Sequence, residues 1–183
     1  MRDYIGHAVM IVLLVVGGAQ DAAIAAPQEG QAAPSFRLQD QHGEWRTLDE
    51  YRGKWIALYF YPKDDTPGCT TEACQFRDNV FAFKDMGAEI IGVSLDDVAS
   101  HREFAEKYSL PFTLLSDVNG DIAKAYGVFG KFGFLNIAKR ESFLINPDGV
   151  LVKHYAKVDP ETHSGEVIAD LKRLIDDNAQ RQL

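Results

Sequence analysis

The sequence predicts one α/β domain in three layers, with helices covering a central β-sheet. Residues 55–61, WIALYFY, form a continuous apolar run whose length suits a strand that is buried on both faces. Residues 88–94, AEIIGVS, form a second such run, and segments with the three- and four-residue apolar spacing of helices follow both runs. The chain has 183 residues, of which 46% are hydrophobic and 25% are charged, and this suffices for one globular domain.

The elements on either side of the first buried run follow from local patterns. Phe36 and Leu38 alternate with polar residues, and the turn-forming residues 40–43 separate them from residues 45–48, which predicts a small hairpin. After the run, apolar positions recur at spacings of four and three and predict one helix that Gly87 ends. The apolar positions of this helix are Cys69, Ala73, Phe76, Val80 and Phe83.

The second half of the chain continues the alternation of helices and strands. The pattern predicts a helix at about residues 97–108, a short strand at 112–115, a short helix near 122–126, a loop at 128–135, two strands at 142–145 and 150–155, and a closing helix at about 161–177. Pro147 and Gly149, between the two late strands, suit the turn of an antiparallel hairpin.

The first part of the chain has the layout of an export signal. Arg2 precedes an apolar stretch at residues 8–19, and an alanine-rich segment ends at Ala26. The apolar stretch is shorter than the roughly 17 to 25 residues that span a bilayer, so we expect cleavage after Ala25, with an uncleaved anchor as the alternative. The chain then divides into a signal peptide at residues 1–25, a linker at residues 26–34 and a folded domain at residues 35–183. We expect an exported protein, periplasmic in a bacterium, with no membrane span after cleavage.

The charge of the chain argues against one class of partner. The formal net charge is -8, and lysine and arginine form no run anywhere in the sequence. Binding to the phosphates of a nucleic acid needs a clustered positive surface, so we expect no nucleic-acid partner.

The two cysteines, Cys69 and Cys74, carry most of the functional information. In an exported protein such a pair is ordinarily an inert structural disulfide, and this is one interpretation. The other is a redox-active pair, because Thr66 and Pro67 are typical of a helix start and place Cys69 in the first turn. Unpaired N–H groups and the helix dipole stabilise an anionic thiolate at that position.

The spacing of the two cysteines favours the redox-active interpretation. Five residues along an ideal helix separate two Cα atoms by ~8.6 Å, whereas a disulfide needs about 4.4 to 6.8 Å. A disulfide between Cys69 and Cys74 therefore requires the first turns of the helix to unwind, which does not suit a structural crosslink. A metal site is not favoured, because two cysteines without further cysteines or a nearby histidine offer too few ligands.

The segment around the cysteines resembles a known family. Residues 61–74, YPKDDTPGCTTEAC, resemble the active-site segment of the Q-type peroxiredoxins, also called bacterioferritin comigratory proteins. The segment combines the P-x-x-x-T-x-x-C signature with the C-x4-C spacing of that subfamily, and the resemblance covers most of residues 34–175. It implies a thioredoxin-like fold, with a central mixed β-sheet flanked by helices.

The resemblance also implies roles for individual residues. By position they are the peroxidatic cysteine Cys69, the resolving cysteine Cys74, the peroxide-orienting hydroxyl of Thr66, the shielding ring of Pro62 and the active-site arginine Arg140. Without the resemblance, simpler roles are favoured, with Thr66 as a helix cap, Pro62 as a loop former and Arg140 as an exposed charge at a strand edge.

Two further features have open alternatives. Arg77 is a weaker candidate for the site, with salt links to neighbours such as Asp78 as its simpler role. Residues 128–138 form an apolar stretch that could line the substrate mouth, form an interface or pack in the core.

The resulting hypothesis is a thiol-dependent peroxidase that acts on hydrogen peroxide and organic hydroperoxides. Cys69 would become a sulfenic acid, Cys74 would condense with it to a disulfide, and a thioredoxin-like or other dithiol would reduce that disulfide. The scheme needs no haem, flavin or metal. The alternatives are an exported thioredoxin-like thiol–disulfide oxidoreductase, whose C-x-x-C motif the sequence lacks, and a non-enzymatic binding domain with an inert disulfide.

Overall fold

The computed structural model describes residues 26–181, and the predicted signal peptide, residues 1–25, lies outside this part of the chain. Its strands are β1 (Arg37–Asp40), β2 (Trp45–Thr47), β3 (Trp55–Phe60), β4 (Ala88–Ser94), β5 (Thr113–Ser116), β6 (Phe129–Phe132), β7 (Leu135–Ala138), β8 (Glu141–Ile145) and β9 (Leu151–Tyr155). Its helices are α1 (Pro67–Asp78), α2 (Val80–Asp85), α3 (Val98–Tyr108), α4 (Asp121–Ala125) and α5 (His163–Arg181), with a short 3-10 helix at Leu48–Tyr51.

Seven of the strands form one mixed sheet in the order β2-β1-β5-β4-β3-β8-β9. β3 lies inside the sheet, parallel to β4 and antiparallel to β8, and every one of its residues is buried. β4 is also parallel to β5, and α3 forms the crossover connection that such a pair requires. The α/β architecture predicted from the two apolar runs is confirmed.

Helices cover both faces of this sheet. Successive residues of β3 point to opposite faces, so Ala57 and Tyr59 pack with α1, α2, α3 and α5. Ile56 and Leu58 pack on the other face, together with α4 and the 3-10 helix. The continuous apolar run therefore reflects a strand with a core on each side.

The predicted helix from Cys69 to Phe83 is divided into α1 and α2 at Asn79, which corrects the prediction of one helix. All of its predicted apolar positions are buried, as their spacing indicated. The backbone of Asn79 leaves helical geometry at φ -101° and ψ 6°. Its side-chain amide donates to the Gln75 carbonyl at 2.9 Å and to Ser164 Oγ at 3.0 Å. These bonds stabilise the end of α1, and the break lets both helices keep their buried faces.

Residues 128–135, predicted as a loop, contain most of a β-hairpin that β6 and β7 form. Gly133, at φ +61°, takes the left-handed conformation that the tight turn between the strands requires. Phe132, Phe134 and Leu135 project into solvent, with exposed fractions of 76%, 106% and 62%. Because the apolar residues of this hairpin do not mark one buried face, their pattern gave no strand signal.

Residues 26–34, predicted as a linker, are attached to the sheet over much of their length. The Gly30 N–H donates to the Leu151 carbonyl at 2.8 Å, and the Leu151 N–H donates to the Gln31 carbonyl at 2.9 Å. Ala33 is buried. The physical reason is that β9 is an edge strand, whose unpaired N–H and C=O groups accept another extended segment. The folded domain therefore begins before Ser35.

The closing helix α5 is amphipathic. It packs Val167 and Leu171 against the same sheet face as α1 and leaves Glu166, Lys172 and Arg173 in solvent. Within the described part of the chain, no helix is long and apolar enough to cross a membrane.

Candidate active site

The loop at residues 61–66 begins where β3 ends, at the carboxyl end of a parallel strand. Tyr61 extends the strand, since its N–H donates to the Val93 carbonyl at 3.1 Å. In α/β sheets this edge is where ligands bind. α1 then begins at Pro67 with Thr66 as its N-cap residue, which is the helix start that the sequence predicted.

Cys69 lies in the first turn of α1 and is 1% exposed. Its Sγ is 3.2 Å from Nη2 of Arg140. Arg140 connects β7 to β8, and the pairing of β8 with β3 brings its guanidinium to the thiol. Gly68 leaves room for this contact, because a β-carbon at that position would lie 3.2 Å from Nη2. The sulfur therefore lies beside a positive charge, in the first turn of a helix, where the helix dipole is positive.

Glu72 is a further member of the site, and the sequence analysis did not include it. The side chain is fully buried, and its Oε2 forms a salt bridge with Nη1 of Arg140. Burial raises the pKa of Glu72 to about 7, and Arg140 opposes this rise. A signal was available, because Glu72 follows Cys69 by three residues and so lies on the buried face of the same helix.

Arg140 holds the two groups together as one hydrogen-bonded unit, Cys69–Arg140–Glu72. Burial acts against the charge of Arg140, but Glu72 and Cys69 raise the pKa of its guanidinium above the usual value. A guanidinium is planar and has two terminal nitrogens, so Nη1 donates to the Glu72 carboxylate while Nη2 faces the sulfur of Cys69. The unit therefore presents a fixed cation beside the thiol.

Thr66 is placed at the helix start, but its side chain does not act as the cap. Its Oγ1 donates to the Lys63 carbonyl at 3.0 Å and makes no capping hydrogen bond to the N–H groups of α1. A hydroxyl has one donor and two acceptor sites, so the lone pairs of Oγ1 are available to a ligand.

Pro62 is half-buried and lies beside the β6–β7 hairpin. Leu135 and Ile137 of β7 form the other side of a small cleft that Pro62 lines. The exposed part of residues 128–138 therefore lies next to the loop at residues 61–66, while Val128 and Ala138 at its ends are buried.

Cys74 is partly buried in α1, and both thiols are free. The helix is continuous from Pro67 to Asp78, so the two cysteines are held apart in this conformation. Arg77 lies in the surroundings of Cys74 rather than in the unit around Cys69. Asp78 and then Cys74 raise the pKa of Arg77, and its Nη1 donates to the Tyr108 carbonyl at 2.8 Å.

The chain is similar to several known proteins. The model of the AhpC/TSA family matches residues 29–154. Peroxiredoxin Bcp of Bacillus subtilis (strain 168) is 47% identical over 151 residues, covering 79% of this chain and 95% of the relative. The chloroplastic peroxiredoxin Q of Populus jackii is 40% identical over 169 residues, covering 92% of this chain and 79% of the relative.

A solved structure is similar over most of its length. It is that of the bacterioferritin comigratory protein of Xanthomonas campestris, from a trapped intermediate/ligand complex that addresses its alkyl peroxide reduction activity. The two chains are 34% identical with a TM-score of 0.74, and the match covers 80% of this chain and 98% of the other. The predicted thioredoxin-like fold, with a mixed sheet flanked by helices, is confirmed.

The prediction of an exported, periplasmic protein is wrong. The Populus relative is named as chloroplastic, and neither it nor the Bacillus relative is named as an exported protein. The prediction rested only on the layout of residues 1–26, with Arg2 before an apolar stretch and an alanine-rich segment, and this layout alone does not specify a destination. The alternative of an exported thiol–disulfide oxidoreductase is not favoured by these relatives either.

The same matches define the class of activity. The family model spans more than half of the chain, and relatives at 40% and 47% identity are peroxiredoxins. The segment that carries the P-x-x-x-T-x-x-C signature forms the loop and first turn described above. The chain therefore belongs to the AhpC/TSA family as a peroxiredoxin of the Q type, and it is a thiol-dependent peroxidase.

Proposed function

We propose that Cys69 is the peroxidatic cysteine and that its thiolate attacks the terminal oxygen of a hydroperoxide. The S–O bond forms as the O–O bond breaks, so Cys69 becomes a sulfenic acid and the departing alkoxide or hydroxide takes up a proton. The observation that carries this assignment is the position of Sγ, in the first turn of α1 and 3.2 Å from the Arg140 guanidinium.

Thiolate formation accounts for only part of the rate. An ordinary thiol, with a pKa of ~8.5, is already a few per cent ionised at pH 7, so complete ionisation raises the reactive fraction only about 30-fold, or ~2 kcal/mol. A more acidic thiolate is also a weaker nucleophile. The site must therefore act on the peroxide as well as on the sulfur.

The groups around Cys69 supply this second contribution. Negative charge moves onto the departing oxygen as the O–O bond breaks, and fixed donors that face this oxygen stabilise it. Arg140 and the N–H groups of the first turn are such donors, and Thr66 Oγ1 has acceptor capacity for the peroxide hydroxyl. Glu72 fixes the guanidinium by accepting from Nη1, which leaves Nη2 directed at the sulfur.

We assign Cys74 as the resolving cysteine. Its thiol attacks the sulfenic sulfur of Cys69, the S–S bond forms and water leaves. An external dithiol, thioredoxin-like in our proposal, then reduces the disulfide and is itself oxidised. Because Cα atoms five residues apart in a helix are separated by ~8.6 Å, the first turns of α1 must unwind for this step.

The two cysteine variants test the roles of the thiols. We expect Cys69→Ser to abolish peroxide consumption with a dithiol donor, because the serine hydroxyl is not ionised. We expect Cys74→Ser to keep the first turnover but to accumulate the sulfenic acid, measured as a gain of one oxygen by mass spectrometry. Peroxidase activity that survives in Cys69→Ser would overturn the assignment.

Disulfide formation should also change the helix content. We expect one equivalent of peroxide to lower the helical far-UV circular dichroism signal of the reduced wild type, because α1 unwinds. Cys74→Ser is the matched control, since it reacts with peroxide but cannot form the disulfide, and its signal should stay constant. Equal spectra for reduced and oxidised wild type would contradict the unwinding step.

The contribution of the hydrogen-bond geometry of Arg140 can be measured separately from that of its charge. Arg140→Lys keeps the positive charge but loses the pair of terminal nitrogens that contact Glu72 and Cys69 at the same time. We expect the second-order rate constant for peroxide to fall roughly 10²-fold, in the range for loss of one preorganised donor. Arg173→Lys, an exposed arginine paired with Asp170, is the control and should keep its rate. If Arg140→Lys keeps the wild-type rate constant, the simultaneous contact of Arg140 with Glu72 and Cys69 does not contribute to the peroxide reaction.

The raised pKa of Glu72 predicts a pH-dependent cost to folding. The folded pKa of about 7 exceeds the ordinary value of 4.5, so the folded state holds its proton more tightly than the unfolded chain. The free energy of unfolding of the wild type should therefore fall, relative to that of Glu72→Gln, as the pH rises from 4.5 to 7, by on the order of 3 kcal/mol. Urea unfolding at pH 5 and pH 8 measures this difference.

The control for this measurement is Glu89→Gln, because Glu89 is a surface carboxylate paired with Lys54. Its stability should follow that of the wild type at both pH values. Parallel curves for Glu72→Gln and the wild type would show that burial does not perturb Glu72.

A further inference from the structure

Asp64, in the catalytic loop, makes a set of buried contacts that the proposed reaction does not use. Its side chain is 4% exposed. The Tyr61 hydroxyl donates to its Oδ1 at 2.7 Å, and the Ser100 hydroxyl donates to its Oδ2 at 2.7 Å. Nδ1 of His101 also lies 2.8 Å from Oδ2. Two hydroxyl donors and the imidazole contact hold this carboxylate in one position in the interior.

His101 is fixed in turn from its other side. The side chain is completely buried in α3, and its Nε2 lies 3.1 Å from the Leu115 carbonyl in β5. Because a carbonyl can only accept, Nε2 carries a proton and donates to it. The imidazole therefore bridges the sheet and Asp64, and it cannot move without breaking a buried hydrogen bond.

The neighbours of Asp64 in the loop are attached to the same side of the molecule. Lys63 Nζ pairs with Asp96 at 2.9 Å, and the backbone N–H of Asp64 donates to the other oxygen of Asp96 at 2.8 Å. Asp65 pairs with Lys107 of α3 only at the surface, where such a pair contributes little to the position of the loop. All of these partners belong to α3 or to the segment between β4 and α3.

These contacts define the positions of the two loop residues that face the reaction. Pro62 directly precedes Lys63, and Thr66 Oγ1 donates to the Lys63 carbonyl at 3.0 Å. The placement of Pro62 and Thr66 is therefore set by α3 and the end of β4. Cys69, by contrast, belongs to α1, the helix that unwinds in the proposed cycle.

We propose that Asp64 and His101 are positioning residues, which hold Pro62 and Thr66 in the geometry that peroxide requires and keep them there while α1 unwinds and refolds. This inference rests on the proposed peroxidase cycle of Cys69. It divides the site into a frame of Tyr61, Asp64, Ser100 and His101, and a moving part of α1 that carries both cysteines. A small displacement of a positioned group can reduce a rate by about 10²-fold, so the frame should affect the chemical step.

The test compares two neighbouring aspartates in a Cys74→Ser background, where Cys69 is the only thiol. Asp64→Asn replaces the buried carboxylate, and Asp65→Asn makes the same change in a side chain that is 49% exposed. Each reduced protein reacts with hydrogen peroxide, and separately with iodoacetamide, in quenched time courses read by mass spectrometry. All rates are measured at a temperature where thermal unfolding shows each protein to be folded.

We expect Asp64→Asn to lower the peroxide rate constant by about 10- to 100-fold, and Asp65→Asn to lower it by less than about threefold. Alkylation by iodoacetamide should change by less than about threefold in both variants, because it needs the thiolate but not an oriented peroxide. A purely structural role for Asp64 would lower the melting temperature and leave the peroxide rate of the folded protein unchanged.

A milder variant keeps the test decisive if Asp64→Asn does not fold. Ser100→Ala removes one of the two hydroxyl hydrogen bonds to Asp64 and should lower the peroxide rate constant by about two- to fivefold, again without an equal loss of alkylation. The inference is overturned if Ser100→Ala and any folded Asp64→Asn match the parent with peroxide, or lose peroxide and alkylation rates equally. If the Cys74→Ser parent itself does not consume peroxide, the proposed function is overturned. This measurement on the parent comes before any comparison with Asp64→Asn or Ser100→Ala.

Discussion

Arg140 places one positive charge between the sulfur of Cys69 and the buried carboxylate of Glu72. The rest of the site depends on this contact, because it connects the pairing of β8 with β3 to the first turn of α1. A buried carboxylate without a partner is strongly destabilising, so Glu72 needs the Arg140 guanidinium as its partner. A Cys69 thiolate would need the same guanidinium. One arginine thus stabilises the buried carboxylate and, in the proposed reaction, the thiolate. Cys69 is almost inaccessible to solvent, and the interaction therefore acts in a medium of low dielectric constant, where it is strong.

The proposed cycle requires two opposite properties of α1. In that cycle the helix is folded when the thiolate attacks peroxide, because only then does Arg140 face Cys69 at the start of the helix. It must be unwound when Cys74 reaches the oxidised sulfur, because helical spacing holds the two cysteines too far apart. In our proposal these demands are separated, because the loop before the helix is attached to α3 through Asp64 and His101. Part of the site can then stay in place while the helix changes conformation, as in other proteins where local segments open at low free energy.

The elements that sequence patterns predicted well are those whose pattern and burial coincide. β3 is apolar at every position because both of its faces are covered, and the apolar stripe of α1 and α2 faces one core. The hairpin of β6 and β7 was missed because its apolar residues Phe132 and Phe134 are exposed, so apolar character carried no information about a buried face. The break at Asn79 was missed because a side-chain bond to Ser164, distant in sequence, helps to stabilise it.

The sequence by itself determined the α/β class, the helix start at Thr66 and Pro67, and the position of Cys69 in its first turn, because these depend on local spacing and on the conformational preferences of single residues. Only the tertiary structure decided which groups meet the sulfur. Arg140 is 71 residues away along the chain, and Glu72 becomes part of the site only because the strand pairing of β8 buries it against that arginine. The attachment of residues 26–34 to β9 was decided in the same way, since an edge strand exists only once the sheet has formed. Contacts between distant segments depend on strand order and register, and local patterns contain neither.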